Sequence, residues 1–285
     1  MKKFGLVLSG GDARSLAEIG VLKTLERHNL IPDVITGTSM GGMIGGFYAA
    51  GLKLSQMEKF AMAVVVSKML DAKSPLTYLE ENKLKKARQA KYGKIGALLS
   101  VLTRQRALDS GRKIEYFFNK TLAEKTFSEL DIPFACVAAD LVSGKEVVLN
   151  SGKLYKAIRA TISLPFVFEP FEYNGMLLVD GGIVSNAPVD IARKMGADIV
   201  LGVDVNGDIK RREKETFRTP FDTAWRIFGI TQNHIYEKEL KSCDIVIRTG
   251  LDLETLDFSR NEECIKKGEE DMEKEIKKLK GLLEG

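Results

Sequence analysis

Residues 33–51 read DVITGTSMGGMIGGFYAAG. A short β-branched run, Asp33–Thr36, leads into Gly37-Thr38-Ser39-Met40-Gly41, and small apolar residues follow from Gly42 to Ala50, closed by Gly51. That order predicts a strand, a sharp turn and a buried helix in immediate succession. A serine between two glycines at such a junction is the setting of a nucleophile elbow. The turn is strained, flanking side chains would clash, and the hydroxyl projects over the sheet with a helix N-terminus behind it. Ser39 is thus the candidate nucleophile, with Gly37 and Gly41 in support; the plainer reading is a tight turn and nothing more.

The same alternation extends along the chain. FGLVL (4–8) predicts a buried strand, and AEIGVLKTLER (17–27) an amphipathic helix. Strand-like runs recur at FACVAAD (134–140), EVVLN (146–150), MLLVD (176–180), IVLGVDV (199–205) and DIVIR (244–248). The helix VDIARKMG, stopped by Gly196, lies between two of them, and a Lys/Glu-rich helix ends the chain. Strands alternating with helices define an α/β class with a largely parallel central sheet, expected here as one domain over 1–285. In such sheets ligands gather at the carboxyl ends of the strands, where Asp140, Asp180 and Asp204 fall.

Residues 52–113 interrupt this order with apolar helical patches and a basic run. Lys83–Lys113 holds ten Lys or Arg against one acid, although the whole chain carries only +4. Two readings stay open: a solvated helical insertion, or a cap that meets anionic membrane surfaces. The small net charge gives no reason to expect a nucleic-acid partner. Three scattered cysteines (Cys136, Cys243, Cys264), with no C-x-x-C, predict neither a disulfide framework nor a zinc site. The apolar run after Met1 is too short for a signal peptide, and no stretch reaches the ~18 apolar residues of a membrane span. The expectation is a soluble cytoplasmic protein, in places peripheral to the membrane.

A serine nucleophile needs a base. The chain has two histidines. His28 closes the first helix, and His234 lies inside the predicted helix TAWRIFGITQNHIYEKELKSC, neither of them on a loop after a late strand. Asp180, in V-D-G-G after MLLVD, is the better candidate, because Gly181 and Gly182 let the chain turn and expose its carboxylate. An ordinary turn aspartate is the alternative.

Four blocks resemble the patatin-like phospholipases: GLVLSGGDARSLAEIGVL (5–22), GTSMGGMIGGFYAAGL (37–52), YKAIRATISLPFVFEPF (155–171) and VDGGIVSNAPVDIARKMGADIVLGVDV (179–205). Weaker similarity runs through 134–149 and 257–268, so roughly three quarters of the chain is covered and the basic insertion is not. The resemblance implies a three-layer α/β/α fold and hydrolysis of lipid acyl esters by a Ser–Asp dyad. Ser39 would be the nucleophile and Asp180 the general base, with a lipid or ester as substrate and no metal or other cofactor.

The family's oxyanion loop has the form G-G-G-x-R-G, and here it reads Gly10-Gly11-Asp12-Ala13-Arg14-Ser15. The hole is therefore assigned to Gly10, Gly11, Asp12, Ala13 and Met40, with Arg14 in support. Asp12 and Ser15 replace glycines. A carboxylate in the hole would repel the oxyanion, so an active enzyme is expected to turn Asp12 away, with Arg14 offsetting its charge. The alternative is a weakened or inactive module that binds lipid or acyl chains. Phe166, where the family often has glycine, is expected in the core or narrowing the acyl pocket; Arg159 either positions the site or forms a surface salt bridge.

Overall fold

FGLVL forms β1 (Phe4–Leu8), buried on both faces between two parallel neighbours, β2 (Val34–Thr38) and β7 (Ile199–Asp204). The computed structural model describes residues 2–63, 107, 110–207, 209–251 and 260–285, so most of the basic insertion, including Lys83–Arg106, lies outside them. The parallel set is completed by β3 (Phe134–Asp140) beside β2 and β8 (Ile245–Arg248) beside β7. Three further strands run antiparallel to their partners: β4 (Glu146–Leu149) and β6 (Met176–Asp180) on β3, and β5 (Phe171–Tyr173) on β6.

Side-chain alternation along the strands builds the layers. Phe4, Leu6 and Leu8 enter one core together with Ile35, Cys136 and Leu201. Onto that face pack α1 (Leu16–Arg27), α2 (Ser39–Ala49), α4 (Arg112–Leu122), α5 (Leu154–Thr161) and α8 (Asn261–Glu284), while α3 (Leu54–Ala63) lies against α1 and α2. Val7, Val34 and Val200 point the other way, into a second core closed by α6 (Val189–Lys194) and the far half of α7 (Pro220–Leu240) through Tyr236 and Leu240. The result is the α/β/α sandwich expected from the sequence.

Three expectations are corrected. The acids Asp140, Asp180 and Asp204 all end strands, but of the three only Asp180 lines the cavity that holds Ser39. Asp140 caps its own turn, accepting from Val142 N, Ser143 N and Ser143 Oγ, and Asp204 is a fully buried partner of Arg248. Arg159 is no surface salt bridge. It is 1% exposed, donates to Ser163 Oγ at 2.6 Å and to the Ser110 and Glu169 carbonyls, and lies against Phe168 and Phe171. Phe166 is not a core residue: it is 45% exposed, with φ +71°, the left-handed region that favours glycine.

Candidate active site

The strand–helix junction at Ser39 contains no loop. β2 continues through Gly37 and Thr38, and α2 begins at Ser39 itself, three residues before the predicted start at Gly42. Gly37 pairs with Leu8 and Cys136 through backbone alone, so the strand extends past its side-chain signal. Ser39 takes φ +56°, unfavourable for a residue with a Cβ. The strain is held by Thr161, whose Oγ1 accepts from Ser39 N at 2.9 Å and donates to Val137 O at 2.5 Å. Gly41 must be glycine: a Cβ there would sit 2.6 Å from the Leu8 carbonyl.

Asp180 arrives from the opposite direction. Along β3, the N–H of Leu141 reaches β6 (Leu177 O) and the carbonyl of Pro133 reaches β2 (Ile35 N), so both strands occupy one edge of β3, while Asp140 N turns to the other edge and Lys145. On that shared edge Thr38 stands opposite Val137 and Asp180 opposite Ala138. The carboxyl ends of β2 and β6 therefore meet head to head, bringing Ser39 and Asp180 side by side. Gly181 permits this closeness, since a Cβ there would lie 2.3 Å from Val137 O.

Asp180 is 2% exposed. Its Oδ1 accepts from Gly182 N at 2.8 Å, and among the described residues Oδ2 has no hydrogen-bond partner. Burial pushes its pKa up to about 7, against the pull of the Ser39 hydroxyl and the Gly182 N–H; the nearby charge of Asp12 raises it further. The hydroxyl is near enough to influence the carboxylate without closing a hydrogen bond in this state, a spacing common in sites without substrate.

The glycine loop lies beside this pair. Gly10, Gly11, Asp12 and Arg14 share with Ser39 and Asp180 a cavity of about 570 Å³. The N–H groups of Gly11 and Asp12 have no protein acceptor among the described residues. Backbone N–H groups are seldom left so, and successive ones of this kind are able to cradle an anion. Their direction is fixed from behind. The Gly10 carbonyl accepts from Asn206 Nδ2 at 2.7 Å and Asn186 Nδ2 at 3.0 Å. In a trans peptide the N–H points opposite to the carbonyl, so this clamp sets the aim of Gly11 N–H. Below it, Ser9 N donates to the fully buried Glu18 at 2.7 Å, and the Tyr236 hydroxyl sits between Ser9 Oγ (3.0 Å) and Asp204 Oδ1 (2.9 Å).

Asp12 takes φ +53°, the conformation glycine would adopt freely and aspartate tolerates better than most. Its own pKa is raised by burial and drawn back by Arg14. It lines the cavity and its charge reaches Asp180, so its carboxylate is not isolated from the Ser39–Asp180 pair. Ala13 is buried in the short turn after the loop, and the Met40 side chain packs against the main core. His28 closes α1, where it bonds to Glu273, and His234 lies within α7, so both stand at the positions anticipated. Thr161, Asn186 and Asn206 were missed. Only Asn206-Gly207, a turn pair directly after a strand, carries a local signal.

The patatin-like phospholipase family model matches residues 6–193, well over half of the chain, and the chain belongs to that family. An uncharacterised NTE family protein of Mycobacterium tuberculosis is 33% identical over 205 residues, 72% of this chain and 49% of that protein. Patatin-like phospholipase domain-containing protein 6 of Homo sapiens is 30% identical over 231 residues, 78% of this chain and 15% of that protein. The chain thus spans about half the length of the mycobacterial relative and far less of the human one. VipD from Legionella pneumophila shares the fold, with a TM-score of 0.51 at 14% identity, covering 96% of this chain and 66% of that one. Among the described residues, no helix is long and apolar enough to cross a membrane.

Proposed function

We propose that the protein is a serine acyl-ester hydrolase acting on lipid esters, with Ser39 as nucleophile and Asp180 as its base. The observation that carries this reading is the pairing of a strained serine with a buried carboxylate whose Oδ2 is unpartnered among the described residues, beside two unsatisfied N–H groups. Family membership supports it.

Asp180 accepts the Ser39 proton as Oγ attacks the ester carbonyl carbon. A base that titrates near 7 is well matched to this transfer, being about half ionised at neutral pH and still basic enough to take a proton. The N–H groups of Gly11 and Asp12 meet the tetrahedral oxyanion. Protonated Asp180 returns its proton to the leaving alcohol, leaving an acyl-Ser39 ester. Water then attacks with Asp180 again as base, freeing the acid and restoring the serine. Removing one hole donor in enzymes of this kind costs ~2.7–4 kcal/mol of transition-state stabilisation. Asp12 keeps its N–H donor, but its carboxylate opposes charge on the oxyanion, and this favours a second reading, a lipid-binding module of low turnover.

Chromogenic short-chain ester hydrolysis and fluorophosphonate labelling separate the two. The wild type should do both and Ser39→Ala neither. Wild-type turnover equal to that of Ser39→Ala, with no labelling, removes the hydrolase reading. A large gain in Asp12→Gly over a nearly silent wild type would establish the second.

A further inference from the structure

We infer that the ester taken by this cavity carries a negative charge, a phosphodiester head with no compensating amine, held by Arg211, Arg212 and Arg226. The inference rests on the hydrolase reading for its ester and adds the class of head group.

Arg211, Arg212 and Arg226 all line the cavity that holds Ser39 and Asp180. None of the three makes an ion pair among the described residues; Arg226 donates only to a backbone carbonyl, Lys210 O, at 2.7 Å. Of the acids that line the cavity, the one nearest to them in sequence is Asp222, and it is already engaged. Its carboxylate accepts from Thr219 N, Thr219 Oγ1 and Arg218 N in the capping box that starts α7. Like charges gathered in a concave, partly apolar wall repel one another and raise the local concentration of anions. Guanidinium groups in particular suit phosphate oxygens.

The remaining lining defines the rest of the ligand. Ile209, Phe217, Trp225 and Phe228 stand on the same wall, with Phe166 braced edge-on against Trp225 at 6.2 Å. Apolar rings and aliphatic groups beside guanidinium groups accept an amphiphile, not a bare ion. Asp12 and Asp180 bear the opposite sign deeper in the site, which repels an anion from the reacting centre. The charge pattern therefore orients the substrate, with its neutral carbonyl at Ser39 and its anionic head among the arginines. A choline head would bring a cation to the same arginines.

The cavity also contains its own reporter, because Trp225 is the single tryptophan of the chain. Ser39→Ala protein should be titrated with short-chain phosphatidylglycerol and short-chain phosphatidylcholine, both kept monomeric so that no charged surface recruits the protein, while Trp225 fluorescence is followed. The anionic lipid should bind roughly tenfold more tightly or better, and Arg211→Gln/Arg212→Gln should bring the two affinities together. In the wild type, kcat/KM for the two lipids should show the same preference and the same loss in the double variant. Equal binding of both lipids, or a preference that survives the double variant, overturns the inference. Inorganic phosphate binding as tightly as the anionic lipid also overturns it, assigning the arginines to a free ion. Selective binding without any wild-type hydrolysis would leave the head-group site standing and the hydrolase reading refuted, whereas hydrolysis without selectivity would do the reverse.

Discussion

Asp180→Asn should gain stability relative to the wild type as pH rises from about 4 to about 7. The carboxyl ionises near pH 7 in the folded protein against 3.8 for the ordinary group, because burial disfavours its charge. Between those values the folded state holds the proton that the unfolded chain has released. Wild-type stability therefore falls as pH rises from about 4 to about 7, and is level on either side. About three pH units at roughly 1.4 kcal/mol each amount to about 4 kcal/mol of destabilisation, complete above pH 7. Asparagine has no such titration. Its amide does place an N–H₂ near where Oδ2 lacks a partner, a cost of roughly 1–3 kcal/mol, but one that does not vary with pH. The diagnostic quantity is thus the change in the difference between variant and wild type. Urea unfolding at about pH 4, 6 and 8 should find it rising by about 4 kcal/mol in favour of the variant. A difference that stays flat across this range, or turns against the variant, refutes the account of a buried carboxylate whose charge is disfavoured.

The same value governs rate: wild-type kcat/KM should fall about tenfold per pH unit below about 7, and Asp12→Asn should move that limb to lower pH by removing a repelling charge. A profile flat down to about pH 5 would exclude Asp180 as the base. Asn186→Ala/Asn206→Ala should lower kcat by roughly 10–100-fold with KM changed less than about threefold, since the freed Gly10–Gly11 peptide no longer aims its N–H at the oxyanion alone. Steady-state kinetics on a short-chain ester, with circular dichroism to verify folding, reads this, and an equal loss in both parameters would point to general disruption.

Much of the site is legible in local sequence because its parts are local. Ser39 and its glycines announce themselves by a steric requirement confined to five residues, and Asp180 by the glycines that let it turn. The alternating strands and helices likewise give the layers. What the sequence conceals is relational. The direction of β6 is invisible in MLLVD, since a hydrophobic run reads the same whichever way its neighbour points, and so Asp140 and Asp204 look equivalent to Asp180. Arg159 reads equally as a positioning residue or a surface ion pair until α5 turns it inward onto backbone carbonyls and aromatic rings. Asn186 and Asn206 act on a residue more than 170 positions away, and no short motif records that reach.

The head-to-head meeting of β2 and β6 makes β3 a ruler for the proposed chemistry. Neither Ser39 nor Asp180 sets its own distance to the other; both inherit it from where their strands stop against Val137 and Ala138. A ruler of this kind has coarse divisions. A strand that slips by one residue turns its side chains to the wrong face, so the nearest alternative register is two residues, roughly 6.5–7 Å, away. The gap between hydroxyl and carboxylate is therefore stepped and not continuous. Substitutions that only replace one buried side chain of β3 with another leave the divisions where they are. Activity should persist undiminished through such changes and vanish together with the sheet itself.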